Sequence, residues 1–297
     1  MASLITTDFN LPAEMSEGIF KKAQTGSAIA QLSGATPQKF GKQTVMVLTS
    51  APKAEVVGEG ANKAPTPTAY TTKTVSPIKV QTTMRFSQEV MWADEDAQIG
   101  VLQDLAENAG IALARALDLV TIHKINPLTG TVSSLVTEGV IDATQSTTLS
   151  GTKYDAAVEA AAGLVISAGY TPTGIAMDPT LSFGLATMRD TTGRRLYPEL
   201  GYGQNVTAFE GMNAAVSSTV SAPEAKTATN LLGIVGQFDA IRWGVQRDIA
   251  AHLIEYGDPD GLGDLQRANQ VAIRAEIVYG IGIMDMAAFA KIVKAGA

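Results

Sequence analysis

The 297-residue chain contains no cysteine. That excludes disulfides, thiolate zinc sites and cysteine nucleophiles, and it suits a reducing compartment. Histidine is nearly absent: His123 and His252 are the only two, far apart in sequence. Charge is also sparse, with 17% Asp, Glu, Lys and Arg against 45% hydrophobic residues. This is the balance of a globular chain with little charged surface, as expected where partners cover part of it. No run approaches the ~18 consecutive apolar residues of a membrane span. The start, MASLITTDFNLP, lacks the basic-then-apolar order of a secretory signal. A protein made in a cytoplasm and free of membrane is expected, so the sequon Asn205-Val206-Thr207 carries no meaning.

Motifs for catalysis or cofactor binding are missing as well. DPDGLGD at 258–264 opens like a calcium loop, but the fifth position is Leu262 and the twelfth Asn269, so the oxygen ligands fail and an acidic turn remains. Gly280-Ile281-Gly282 lacks the third glycine and the helix opening of a dinucleotide fingerprint, and Gly201-Tyr202-Gly203 fails the same way. There is no P-loop, HExxH or GxSxG, and no paired carboxylates suit glycoside chemistry. His123 falls near the C-terminal end of a helical stretch, where positive charge is favourable, and His252 in the β-prone IAAHLIEY; both read as structural. The expectation is a protein that is not an enzyme and has no cofactor and no metal.

What the chain does have is a stretch, residues 53–89, that reads as a β-ribbon too long and polar to fold on its own body. Its arms are expected to meet at GEGANKAPTPTAY, 58–70, a Gly/Pro/Asn cluster that marks a reversal. Beyond it, Thr72, Thr74, Ser76, Ile78, Val80, Thr82, Met84 and Phe86 share one face, apolar only near the base. A lone hairpin is marginal in water, so it needs a surface from elsewhere, most simply another copy of the chain. Lys53, Lys63, Lys73, Lys79 and Arg85 outnumber Glu55, Glu59 and Glu89, giving the stretch +2. With −7 overall, the remainder is −7 minus +2, or −9. A basic arm on an acidic body favours contact with a neighbour, while the acidic body argues against gripping nucleic acid.

Elsewhere, residues 1–42 read as an extended lead-in with one short helix over 12–24. The spacing of Ile99, Leu102, Leu105, Ala106, Ala109, Leu113, Leu117 and Val120 predicts a long helix over 94–124 with one apolar stripe; Asp104, Glu107, Arg115 and Asp118 fall mostly off it. Thr152 and Asp155 predict a capping box for a second helix. Strands are expected at 44–50, 174–177, 213–218 and 231–236, a short helix at 179–189, and β-prone runs through 240–283 split by a turn at 257–261. Arg194, Arg195 and Tyr197, in the loop 190–205, form the densest charge-plus-aromatic cluster, a composition favoured at interfaces. The order of elements predicts a mixed α+β chain.

The order of these parts resembles the major capsid protein of tailed bacteriophages, with the Hong Kong 97 capsid fold. The resemblance is carried by VVGEGANKAPTPTAYTTKTVSPIKVQTTMRFSQEVM, MDPTLSFGLATMRDTTGRRLYPEL, FEGMNAAVS, VGQFDAIRWGVQRDIAAHLIEY and NQVAIRAEIVYGIGIMDMAAF, which span nearly the whole chain. It implies an N-terminal arm at 1–42, an extended loop at 43–86, a peripheral domain from 87–149 and 240–297 with a spine helix at 94–124, and an axial domain at 150–239. It implies hexamers and pentamers closing an icosahedral virion shell around double-stranded DNA, with a separate scaffold protein, a portal and decoration proteins as candidate partners. Glu59, Lys63, Lys73, Arg194, Arg195 and Tyr197 become candidate subunit-interface residues. Some relatives crosslink a ribbon lysine to a neighbour; Lys63 is suggestively placed, but noncovalent assembly is expected. Two alternatives stand beside this: an encapsulin-like nanocompartment shell of the same fold, and a cytosolic hydrolase using His123 or His252 with an acid.

Overall fold

A computed structural model of the chain describes residues 26–50, 52–66, 68–89, 95–201 and 206–295. The helix expected over 12–24 lies outside them. In chain order the elements are α1 (Ala28–Leu32), β1 (Gln43–Ser50), β2 (Ala69–Ser87), α2 (Glu95–His123), β3 (Gln145–Leu149), α3 (Tyr154–Ser167), β4 (Gly174–Met177), α4 (Pro179–Thr187) and β5 (Ala208–Phe209). They continue with β6 (Met212–Val216), β7 (Leu231–Gly236), β8 (Ile241–Ile254), β9 (Gln270–Ile283) and β10 (Phe289–Lys294). The mixture of helix and sheet is the expected one.

β8 and β9 pair antiparallel, and β2 pairs with β9 over Ser76 to Ser87. With β1 on the outer edge of β2, the order is β1-β2-β9-β8. One face of this sheet carries Ile78, Ile277, Tyr279, Ile281 and Trp243, buried against α2. The Tyr279 hydroxyl donates to the Leu113 carbonyl at 3.2 Å, fixing the sheet on the helix. The second sheet runs β3-β10-β7-β4-β6-β5 and is mixed: β10 lies parallel to β3 and antiparallel to β7. β3 and β10, both outside 150–239, therefore share a sheet with the strands of that span.

α2 extends about 44 Å at ~1.5 Å per residue. A single apolar stripe was the expectation, with Asp118 off it. From Ala116 to His123 every side chain is instead buried, because the first sheet covers one side while α1 and the turn at 218–220 cover the other. A helix apolar on nearly all sides belongs in the interior. It stops at Lys124, which takes a left-handed φ of 59°, before the Asn126-Pro127 pair read as its end.

One local expectation fails. The capping box of α3 does not form: Lys153 holds the cap position without a side-chain bond, and Asp155 Oδ1 accepts from the adjacent Ala156 N–H at 2.7 Å. A side-chain cap does form at α4, where Asp178 Oδ1 accepts from Thr180 N–H at 2.8 Å ahead of Pro179.

Candidate assembly interface

The stretch read as a ribbon is one strand and an open tip. β2 runs 19 residues, and its first seven pair with β1, not with residues 53–57. Residues 52–66 form no strand; a turn at 59–60 with Gly60 at φ 79° reverses them, and they are exposed. Thr66 Oγ1 donates to the Lys53 carbonyl at 3.0 Å, closing the tip's base. Glu59 and Lys63 lie on this tip, facing water.

The change of partner strand changes the chemistry of the ribbon. The register sets Met46 opposite Thr72 and Leu48 opposite Tyr70. Directly opposed residues of an antiparallel pair point to the same face. Tyr70 and Thr72 share a face with Ile78 and Val80, so Met46, Leu48 and Tyr70 extend the core face of the sheet. They do so where no described residue covers it: the three are 70%, 46% and 60% exposed. The distal ribbon thus exposes apolar side chains on this face, where Thr, Ser and Lys were expected on both, while on the other face Val45 and Val47 lie half-buried opposite Lys73 and Thr71. On the opposite face Val75 is buried, close enough to Gly282 that an added Cβ would meet it at 2.9 Å.

The expected basic arm is mostly neutralised within the chain. Lys73 pairs with Glu138 at 3.0 Å, Lys79 with Glu276 at 2.6 Å, and Arg85 with Asp258 at 3.0 Å and with Asp260. The acidic turn at 258–264 is the counterpart of Arg85, whose guanidinium also donates to the Gly263 carbonyl at 2.8 Å. The Arg85 contact holds the Asp260 carboxyl below the usual carboxylate range. Two bases and two acids remain on the tip, Lys53, Lys63, Glu55 and Glu59, so its charge sums to zero. What is left for a partner is chiefly apolar.

The lead-in to the ribbon is strapped down at two places. Asp118, 0% exposed, accepts from Ala28 N–H at 2.9 Å, Ile29 N–H at 3.1 Å, Thr219 Oγ1 at 2.6 Å and the Ser27 hydroxyl. Burial pushes its carboxyl up, and these four donors pull it back. The chain then crosses the outer face of the first sheet: Trp243 Nε1 donates to the Ser33 carbonyl at 2.9 Å, and Thr36 N–H to the Trp243 carbonyl at 2.9 Å. Glycines make the track flat. A Cβ on Gly244 would lie 2.1 Å from the Thr36 carbonyl oxygen, and one on Gly280 would lie 1.8 Å from Gln38 Oε1. Gly280 and Gly282, rejected above as a nucleotide fingerprint, thus leave room for the strap and for Val75.

Gly244→Ala is expected to displace the strap, since a backbone oxygen must move, at about 1–3 kcal/mol. Gly280→Ala should cost less, because the end of a flexible side chain can swing aside. Urea midpoints of the two variants check the order.

Neither histidine has a catalytic setting. His123 is buried, with Nε2 donating to the Thr219 and Val220 carbonyls at 3.1 and 2.9 Å. Burial lowers its pKa, so it sits neutral instead of supplying the positive charge expected at a helix end. His252 is exposed beside Lys79, Arg247 and Glu276 in a groove of about 270 Å³. Among the described residues neither ring bonds a carboxylate, no group of His, Asp and Glu could hold a metal, and no helix is long and apolar enough to cross a membrane.

The loop after α4 is a hairpin closed by Asp190. Its Oδ1 accepts from Thr192 Oγ1 at 2.7 Å, Thr192 N–H at 2.8 Å and Arg194 N–H at 2.9 Å, which keeps its carboxyl below the ordinary range. Arg194 projects into solvent, Arg195 is half-buried, and the Tyr197 ring lies 5.1 Å from that of Phe209. The structure therefore does not gather the six candidate residues: Glu59 and Lys63 are on the tip, Lys73 lies along the ribbon, and the other three belong to the 190–197 loop.

Comparison with known proteins agrees with a shell subunit. The family model described as the phage capsid family matches residues 8–294. A probable major capsid protein of Mycobacterium phage L5 is 25% identical over 292 residues, covering 95% of this chain and 88% of its own. A solved structure from Mycobacterium phage Ogopogo superposes with TM-score 0.82 at 49% identity, covering 91% of this chain and 92% of that one. Another from Gordonia phage Cozz gives 0.79 at 35% identity, with 91% and 87% covered. Matched nearly from end to end, the chain belongs to the phage capsid family and is a major capsid protein, a structural subunit and not an enzyme.

Proposed function

We propose that this capsid protein closes the icosahedral head of a tailed phage through the Hong Kong 97 fold, with the ribbon formed by β1, the tip and the distal half of β2 lying on the next copy. The carrying observation is that the sheet's core face continues past its own body, at Met46, Leu48 and Tyr70, uncovered by any described residue. A sheet face of this kind is stable only when something apolar lies on it, and in a shell of identical subunits that something is a second copy. α2 is then the spine of the peripheral part, and the second sheet, including β3 and β10, is the unit that meets around the five- and six-fold axes. The net charge of −7 suits a wall that confines packaged double-stranded DNA without gripping it. Scaffold, portal and decoration proteins are the further partners this reading implies.

The test is electron microscopy of the native particle together with a deletion of residues 60–69. The deletion removes exposed tip and a single strand residue, so the subunit should fold with its urea midpoint unchanged yet form no closed shell. Normal particles from the deletion variant would sink the assignment of the ribbon as the inter-subunit contact.

A further inference from the structure

A second surface, away from the ribbon, is built for a partner of opposite charge. Between α3 and the β5–β6 hairpin lies a groove of about 540 Å³ whose floor is Val158, Ala162, Ile166, Phe209 and Met212, with Tyr197 in its wall. Asp155, Glu159 and Glu210 stand on its rim. Glu199 adds to their field: burial first, then these four carboxylates, raise the Tyr197 pKa. Among the described residues none of the three rim carboxylates forms an ion pair with a base of its own chain, and none of the lining residues is a base.

The same chain carries a base in the matching condition. Arg194 is exposed, and its side chain makes no hydrogen bond or ion pair among the described residues. It is also pre-positioned, since three bonds to Asp190 Oδ1 and one from Arg189 Nη1 to the Gly193 carbonyl at 2.9 Å lock the hairpin that presents it. Little ordering entropy is then lost on docking. Leu196, exposed on the same hairpin, supplies an apolar companion for the groove floor. The contrast with Lys73, Lys79 and Arg85, each paired within its own chain, is what makes the pattern informative. Here an exposed cation on a locked hairpin and a set of unpaired anions around an apolar groove stand on one molecule, and contact between copies is where they would meet.

We propose that the acidic, apolar groove of one copy receives the Arg194 hairpin of the next copy. Such a contact joins two different patches, so repetition about an axis closes a ring. It rests on the shell reading above and adds the pairing that would hold a capsomer together. Guanidinium over Tyr197 and beside carboxylates is a favoured interface arrangement, and the apolar floor excludes water from it.

The absence of cysteine makes the test clean. The double variant Glu159→Cys with Arg194→Cys, assembled and then oxidised, should give a ladder of disulfide-linked multimers on a non-reducing gel. Either cysteine alone should leave monomers. Shells from the wild type with no ladder from the double variant, or a disulfide within one chain, would overturn the pairing and leave the shell reading standing. A wild type that forms no shell would overturn both. If the cysteine pair itself blocks assembly, an exchange of charge decides. Glu159→Arg or Arg194→Glu alone should lower shell yield by roughly tenfold through like-charge contact, and the two together should restore it. Single variants that assemble normally, or a pair that fails to restore assembly, would overturn the pairing.

Discussion

Asp118→Ala is expected to be the most destabilising single change in the chain. It strips the acceptor from four donors at once, the Ser27 and Thr219 hydroxyls and the amides of Ala28 and Ile29. All lie in or beside the core, where water cannot replace the lost partner. A buried donor left unpaired costs about 1–3 kcal/mol, and a carboxylate acceptor makes the stronger kind of bond. The loss should reach about 4 kcal/mol or more, a large share of the 5–15 kcal/mol typical of a folded domain. Asp118→Asn keeps the volume and one accepting oxygen but turns an NH₂ toward donors, so about half that loss is expected. Thr219→Val removes one donor together with its bond, and with it the 2.7 Å contact to the Ser217 hydroxyl, and should cost about 1–2 kcal/mol. Urea unfolding ranks the three. Limited proteolysis reports the site, because α1 and the strap at 33–41 are what Asp118 holds down. If Asp118→Ala melted like the wild type, the carboxylate would not be the anchor of the lead-in.

That residue also shows where the sequence was legible and where it was not. The long helix was readable from apolar spacing because residues 104–115 alternate buried and exposed positions with the usual two-sided character. Asp118 was placed off the stripe by the same rule, which assumes that a polar side chain faces water. A carboxylate can be buried where donors converge on it, and those donors lie about 90 and 101 residues away, invisible to any local period. A faint signal existed: of the helical positions around Asp118, Ala114, Leu117, Leu119, Thr121 and Ile122 are uncharged and Arg115 alone carries a charge. The glycines of the strap track follow the same logic. Gly244, Gly280 and Gly282 point from one sheet face, and an alternating small-residue face announces close backbone approach. The sequence does not say that residues 36–38 are what approaches. In the second sheet β4, β6 and β7 were readable as short apolar runs, whereas β3, which reads QSTTL, the two-residue β5, and β10 were not expected. That β10 sits between β3 and β7 was not readable either, because strand order is a property of long-range pairing and not of local pattern.

The ribbon was found for a correct reason and furnished with the wrong partner. Its length and polarity marked it as unsupported, but the arm opposite Tyr70 is β1, and β1 brings Met46 and Leu48. The second large effect follows from that register. Met46→Lys with Leu48→Lys should leave the isolated subunit within about 0.5 kcal/mol of the wild type, since exposed positions tolerate substitution. The same pair should abolish shell closure. In the proposed contact both side chains lose their water to an apolar neighbour surface, and a buried, unpaired ammonium there costs several kcal/mol. Because every subunit repeats the contact, the penalty recurs at each one. Thr71→Lys is the control: it sits on β2 opposite Val47, one residue from Tyr70 and so on the reverse face. That variant should assemble. Particle counts by electron microscopy, read beside urea midpoints, separate the outcomes. Normal shells from the Met46/Leu48 variant would remove the apolar face from the interface, and loss of shells from Thr71→Lys alone would show that the ribbon docks by its other side.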